Sequence, residues 1–127
     1  MRPNFFSQLK WIAAAMSDAK VQIFGMVHSQ NVLGPLMIAT HYKLGELAFT
    51  NLFEDRTPEF KAMNPFNKCP VLKDGDFVIA ESSACLRYLA MKYVPSLYPT
   101  SGPQTCGRID WAIDSMHCEI YAAWDLV

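Results

Sequence analysis

Runs of apolar residues with a period of two alternate along this chain with runs whose period is near 3.6, and the two periods lay out its elements. "VQIFG", Val21 to Gly25, is a short β-rich run ended by glycine and reads as a buried strand. After the polar bend "HSQN", the stretch "VLGPLMIATHYKLGE" repeats Val32, Leu36, Ala39 and Tyr42 at helical spacing, with Gly45 as its stop. "LAFTNLF" predicts a second strand from Leu47 to Phe53. Thr57 then stands as an N-cap, with Pro58 at the first helical position and Glu59 in the first turn. That helix is short, because Pro65 biases Asn64 away from helical geometry. "PVLK" and "DFVIA" follow as strands joined by Asp74-Gly75, a two-residue loop in which both positions take positive φ. Ser82 opens "SSACLRYLAMKYV", with Leu86, Leu89, Ala90 and Tyr93 on one apolar face and Pro95 closing it. The linker "PSLYPTSGP" leads to "QTCGRIDWAIDSMHCEIYAAWDL", where Ile109, Ile113, Met116 and Ile120 form a stripe and Trp111 and Trp124 lie off it.

The order β-α-β-α-β-β-α, then a linker and one long helix, predicts an α/β fold. Its sheet is mixed, with parallel crossovers and an antiparallel edge supplied by the hairpin. The chain of 127 residues is long enough to bury one core. The last helix has no partner element in this order, so its stripe calls for a cover. The expected domain pattern is an extension over residues 1–18, a first domain over 19–95, and a second over 96–127 that stops after its linker and first helix. The opening "MRPNFFSQLKWIAAAM" has Arg2 and Lys10 and no acid before Asp18, which is compatible with a short targeting segment. Met16 also begins "MSDAKVQIFG", a natural start for the first strand.

Composition narrows the function classes. The hydrophobic fraction is 51% and the charged fraction 18%, below the roughly 25% of an ordinary globular domain. A net charge of −1 offers no electrostatic attraction to nucleic acid or to an anionic membrane. No run reaches the length of a membrane span. The four cysteines, Cys69, Cys85, Cys106 and Cys118, contain no C-x-x-C pair and no histidine at zinc-finger spacing, which disfavours a dithiol centre and a metal site. Cys85 and Cys118 fall in apolar helical patterns and read as small buried hydrophobes. Reduced cysteines place the chain in the cytoplasm.

The candidate chemistry lies in "NKCPVLKDGDFVIAES", Asn67 to Ser82. A hairpin there delivers Glu81 and Ser82 together to a helix N-terminus. Read from the residues alone, Ser82 is an N-cap hydroxyl and Glu81 an acid suited to the helix dipole. The same pair can also hold a ligand bearing an ammonium and a carboxylate.

A resemblance chooses between these. "PEFKAMNPFNKCPVLKDGDFVIAESSACLRYLAMKY" closely resembles the glutathione-binding half of cytosolic glutathione transferases, with their Asn-Pro loop, "P-V-L" strand, "D-G-D" turn and "E-S" helix opening. "HSQNV" resembles the catalytic-serine turn of the theta and phi classes, and "SLYPTSGPQTCGRIDWAI" looks like the linker and first helix of the family's all-helical second domain. The resemblance implies a thioredoxin-like fold, glutathione as co-substrate without a metal, and conjugation of its thiol to small hydrophobic electrophiles in detoxification. It also implies a homodimer. Carried over residue by residue, Ser29 activates the thiol and Asn31 adds a polar contact. Glu81 takes the ammonium, and Ser82 with the helix N-terminus takes the γ-glutamyl carboxylate. Cys69 pairs its backbone with the cysteinyl part of glutathione ahead of a cis Pro70, and Lys68 and Arg56 serve the glycine end. A serine hydroxyl donating to sulfur favours the thiolate of a group whose free pKa is about 8.5.

Three departures bear on the reading. Gly34-Pro35 falls within the first helix, where relatives carry helix formers; Asp55 repels a carboxylate near Arg56; and the chain stops after one helix of the second domain. They also suit a non-catalytic, transferase-like interaction module or an inactive truncated isoform. A cysteine-type thiol transferase requires a cysteine in the Ser29 turn, and none is there.

Overall fold

Strand β1 (Val21–Gly25) alternates buried Val21, Ile23 and Gly25 with half-buried Gln22 and Phe24, so one of its faces lies wholly in the core. The computed structural model describes residues 20–49 and 57–124. Helix α1 (Gln30–His41), strand β2 (Gly45–Phe49), helix α2 (Pro58–Met63), strands β3 (Val71–Asp74) and β4 (Phe77–Ala80) and helix α3 (Ser82–Tyr93) follow. The four strands form one sheet in the order β2-β1-β3-β4. β1 and β2 are parallel, β1 and β3 antiparallel, and β3 and β4 form the antiparallel hairpin. This is the mixed βαβαββα unit expected of a thioredoxin-like fold, with a single parallel pair where the element order suggested several. The expected extension over residues 1–18, the Thr50–Phe53 end of the second strand, and Arg56 lie outside the described residues.

One cluster holds the unit together: Val21 and Ile23 of β1, Leu72 of β3, Val32 and Ala39 of α1, Leu44, and Cys85 and Leu89 of α3. Helices α1 and α3 therefore cover the same face of the sheet. Burial pushes the Cys85 thiol up to about 12, and the negative charge of Glu81 adds to this. Cys85 is thus the buried, inert hydrophobe its pattern predicts, whereas Cys118, read the same way, is exposed.

Several local expectations shift by a residue or two, each for a physical reason. Helix α1 does not stop at Gly45. It ends at His41 in a Schellman turn, with Lys43 at φ 53 and Leu44 N–H donating to Ala39 O at 2.7 Å. Pro35 lies inside α1 and is buried, Leu36 is half-buried and packs against the core cluster as expected, and Tyr42 is exposed. Thr57 caps α2 as expected, its hydroxyl accepting from Phe60 N–H at 3.2 Å, and Asn64 leaves the helix in an extended conformation. The hairpin loop is Gly75-Asp76 rather than Asp74-Gly75. Asp74 pairs with Phe77, and among the loop residues only Gly75 takes a positive φ, 60°. Those φ signs match a type II′ turn, which places glycine first.

Asp74 stays in its strand because its carboxylate is engaged by α3. It accepts from Tyr93 Oη at 2.6 Å, Lys92 Nζ at 2.7 Å and Tyr88 Oη at 2.8 Å. Burial pushes the Asp74 carboxyl up, but the bonds from Lys92, Tyr93 and Tyr88 together outweigh it and hold the group below the usual carboxylate range. A carboxyl depressed in the folded state stabilises above its unfolded pKa, and that contribution is lost as pH falls through the folded one. Asp74→Asn is therefore expected to lower stability by about 1–2 kcal/mol at pH 7. In urea melts run from pH 7 downward, the gap between variant and wild type should close as Asp74 protonates; a gap constant with pH would remove the ion pair from the account.

Beyond α3, a three-residue 3₁₀ turn (Pro95–Leu97) leads to helix α4 (Pro103–Ser115). A π-helical turn (Met116–Ile120) follows, and then the short α5 (Tyr121–Trp124). The single long helix expected from the sequence is thus interrupted. It also has a partner, contrary to expectation. Ile109 and Ile113 of its stripe face Leu86, Ala90 and Leu97 across an apolar groove of about 220 Å³. Arg87 of α3 ties the two helices, donating to Asp110 at 2.5 Å and to Asp114 at 3.3 Å. Met116 and Ile120, further along the stripe, are 40% and 51% exposed. Among the described residues no helix is long and apolar enough to cross a membrane.

Candidate functional site

A polar cleft of about 150 Å³ opens where the start of α1, the loop before β3 and the start of α3 converge. Its lining is Asn31, Asn64, Lys68, Cys69, Pro70, Glu81, Ser82 and His117. Six of these, Asn31, Lys68, Cys69, Pro70, Glu81 and Ser82, are residues that the sequence singled out. Residues as far apart as Asn31 and Ser82 are brought together because β3 lies beside β1 and α3 returns over the sheet next to α1.

The loop into β3 is shaped by Asn64, which is 2% exposed. Its amide Nδ2 donates to Lys68 O at 2.8 Å, and its Oδ1 accepts from Phe66 N–H at 3.1 Å. The Cys69–Pro70 peptide bond that follows is cis, as the resemblance implied. The sequence marks Asn64 as the residue before a proline and as part of the Asn-Pro loop, not as a residue of the cleft. The polar side chain at a helix end was the available signal for its second role.

At the other wall, Glu81 rather than Ser82 is the N-cap of α3, which corrects the expected boundary by one residue. Glu81 takes φ 72 and ψ 124 and makes no side-chain capping bond, while its carbonyl accepts from Cys85 N–H at 2.9 Å. A side chain at positive φ is strained. Glu81 lines the cleft, and its side chain is left unused by the helix. Ser82, 7% exposed, occupies the first helical position beside the free N–H groups of the α3 N-terminus. A carboxylate acceptor, a hydroxyl and a helix N-terminus side by side suit a zwitterionic amino-acid head group.

Ser29 does not line this cleft. It is the N-cap of α1, two residues before Asn31, and is half-buried. Its N–H donates to Met26 O at 3.0 Å and its carbonyl accepts from Val32 N–H at 2.9 Å, but its hydroxyl makes no capping bond. Pro35, lacking an N–H, also leaves the Asn31 carbonyl without its partner four residues on.

The family model described as "Glutathione S-transferase, N-terminal domain" matches residues 19–91, and this range contains seven of the eight lining residues. The chain belongs to the glutathione S-transferase family. Its glutathione S-transferase relatives include the bovine theta-1 enzyme, 50% identical over 52 residues that make up 40% of this chain and 22% of the relative. Glutathione S-transferase 3 of Zea mays is 40% identical over 81 residues, 59% of this chain and 35% of the relative. Among solved structures, the theta class glutathione S-transferase of Xanthomonas axonopodis pv. citri, with glutathione bound, superposes with a TM-score of 0.75 at 31% identity. That match covers 82% of this chain and 51% of the other. Human glutathione S-transferase T1-1 in its apo form gives 0.65 at 30% identity, over 76% of this chain and 42% of the other. The chain thus spans about half the length of these solved relatives.

His117 is the eighth lining residue and the one outside the matched domain. Nothing in its sequence neighbourhood marks it, beyond its place four residues after Ile113 in the last helix.

Proposed function

We propose that this chain carries the glutathione-binding half of a glutathione transferase, and that the site activates the thiol for attack on small hydrophobic electrophiles. The observation that supports this best is the gathering of Asn31, Lys68, Cys69, Pro70, Glu81 and Ser82 around one cleft. Glutathione offers an ammonium and a carboxylate at its γ-glutamyl end. Glu81 pairs with the first, and Ser82 with the α3 N-terminus holds the second. The Cys69 backbone pairs with the cysteinyl segment by strand addition. Lys68 and Arg56 serve the glycine carboxylate. The Ser29 hydroxyl, free of capping duty, donates to the sulfur, and Asn31 adds a polar contact at the same end. The domain boundaries follow the same reading, with glutathione bound within residues 19–95 and the electrophile site completed by the helical domain begun at 96–127. A cytoplasmic homodimer is the assembly we infer.

Retention of the chain on immobilised glutathione tests the binding half, with elution by free glutathione as the expected result. No retention would sink the site assignment. Ser29→Ala is expected to leave the affinity for glutathione within about threefold while lowering the thiolate absorbance of bound glutathione at neutral pH. An unchanged absorbance would take Ser29 out of the mechanism.

A further inference from the structure

We propose that His117 is a substrate-contacting residue of the glutathione site, donating a hydrogen bond to the γ-glutamyl carboxylate at the N-terminus of α3. The proposal rests on the glutathione reading given above and adds a contact from outside the glutathione-binding domain. Helix α4 runs antiparallel to α3, as the contacts between them show turn by turn. Tyr98, just beyond α3, donates to Asp110 at 2.9 Å, and Leu97 and Ala90 share the groove with Ile109 and Ile113. Arg87 then spans from Asp110 to Asp114. As numbering falls along α3, it rises along α4. One further turn brings position 117 level with Glu81 and Ser82, and His117 lines the cleft with them.

The backbone at this point is a π-helical turn, with Tyr121 N–H donating to Met116 O. Such turns shift the phase of a helix and recur at functional sites. The His117 ring stands edge-on to Tyr121 at 5.2 Å and 87°, so an apolar neighbour fixes its plane.

The chemistry favours the carboxylate. Among the described residues, the cleft's charged side chains are Lys68 and Glu81. On the reading above, Glu81 is matched to the ammonium and Lys68 to the glycine carboxylate at the other end. The γ-glutamyl carboxylate has about four lone-pair sites, more than the Ser82 hydroxyl and one or two helix N–H groups fill. An imidazole presents an N–H donor whether it is neutral or protonated.

The test is calorimetry of the chain with two tripeptides: glutathione, and its analogue γ-aminobutyryl-cysteinyl-glycine, which keeps the amine and lacks the α-carboxylate. His117→Phe keeps a ring against Tyr121 but has no donor, and should weaken glutathione about tenfold, as expected for a hydrogen bond to a charged group. The same substitution should leave the analogue's affinity within twofold of wild type. His117→Gln restores an N–H and should recover part of the loss. Equal losses for both tripeptides, or no loss for glutathione, would overturn the proposal. A wild-type chain that binds neither tripeptide defeats the glutathione reading itself, and this inference with it.

Discussion

Gly45→Ala is expected to cost more than about 3 kcal/mol, beyond the usual range for overpacking. The parallel register places Gly45 opposite Val21, and Val21 N–H donates to Leu44 O at 3.1 Å, so the two strands are closely joined here. A Cβ on Gly45 would lie 1.8 Å from the Val21 carbonyl oxygen. That neighbour is backbone, held in the central strand, and no rotamer change relieves the clash. A domain of this kind has a net stability of about 5–15 kcal/mol, so the loss removes a large share of it. Gly75→Ala is the control. Its Cβ meets nothing within 4 Å, and only its φ of 60° is unfavourable for alanine, at about 1–2 kcal/mol. Urea midpoints for the two variants should therefore differ widely. A Gly45 variant as stable as the Gly75 variant would mean that the β1–β2 register is wrong.

Substitutions at Glu81 are expected to separate binding from stability. On the proposed reading, Glu81→Gln removes the charge that pairs with the ammonium and should weaken glutathione binding by about 10- to 100-fold, the range for a hydrogen bond to a charged group. Glu81→Gly removes the same carboxylate and also relieves the side chain at φ 72. It should raise stability by about 1 kcal/mol, since the left-handed region penalises side chains and not glycine, while binding falls as far as in the glutamine variant. Calorimetry with glutathione and a urea melt on each protein give both numbers. A glycine variant that is less stable than wild type would show that Glu81 sits there for packing and not at the expense of stability.

The element order was legible because it depends on local periodicity and on capping chemistry. β1 matches its expected span residue for residue, and Thr57, Pro58 and Asn64 act at α2 as their types require. The misplacements at Gly45 and Asp74 share one cause. Each residue's type suited the expected local role, but another chain segment competed for it. Val21 needs a side-chain-free partner at Gly45, and α3 claims the Asp74 carboxylate, whereas at Ser82 the shift is local, the positive φ of Glu81 moving the helix boundary by one. The site was legible to the same degree. Glu81, Ser82, Cys69, Pro70 and Lys68 lie within one sixteen-residue stretch, and a motif can carry that. Asn64 acts through an amide N–H two residues on and a carbonyl four residues on, and His117 comes from a separate helix.

By itself, the sequence determined the strands and helices, their order, the Asp-Gly region as a turn, and the stretch that supplies most of the cleft's lining. These follow from side-chain period and backbone preference, which act over a few residues. Tertiary structure alone decided that the last helix packs antiparallel on α3 through Arg87, that Ser29 stands outside the cleft while Asn31 lines it, and that His117 completes the wall beside Glu81 and Ser82. The physical reason is that a cleft is made of surfaces from several elements. Which side chains meet there depends on helix phase and sheet register, and a single π-helical turn or a one-residue shift of a cap is enough to change the list.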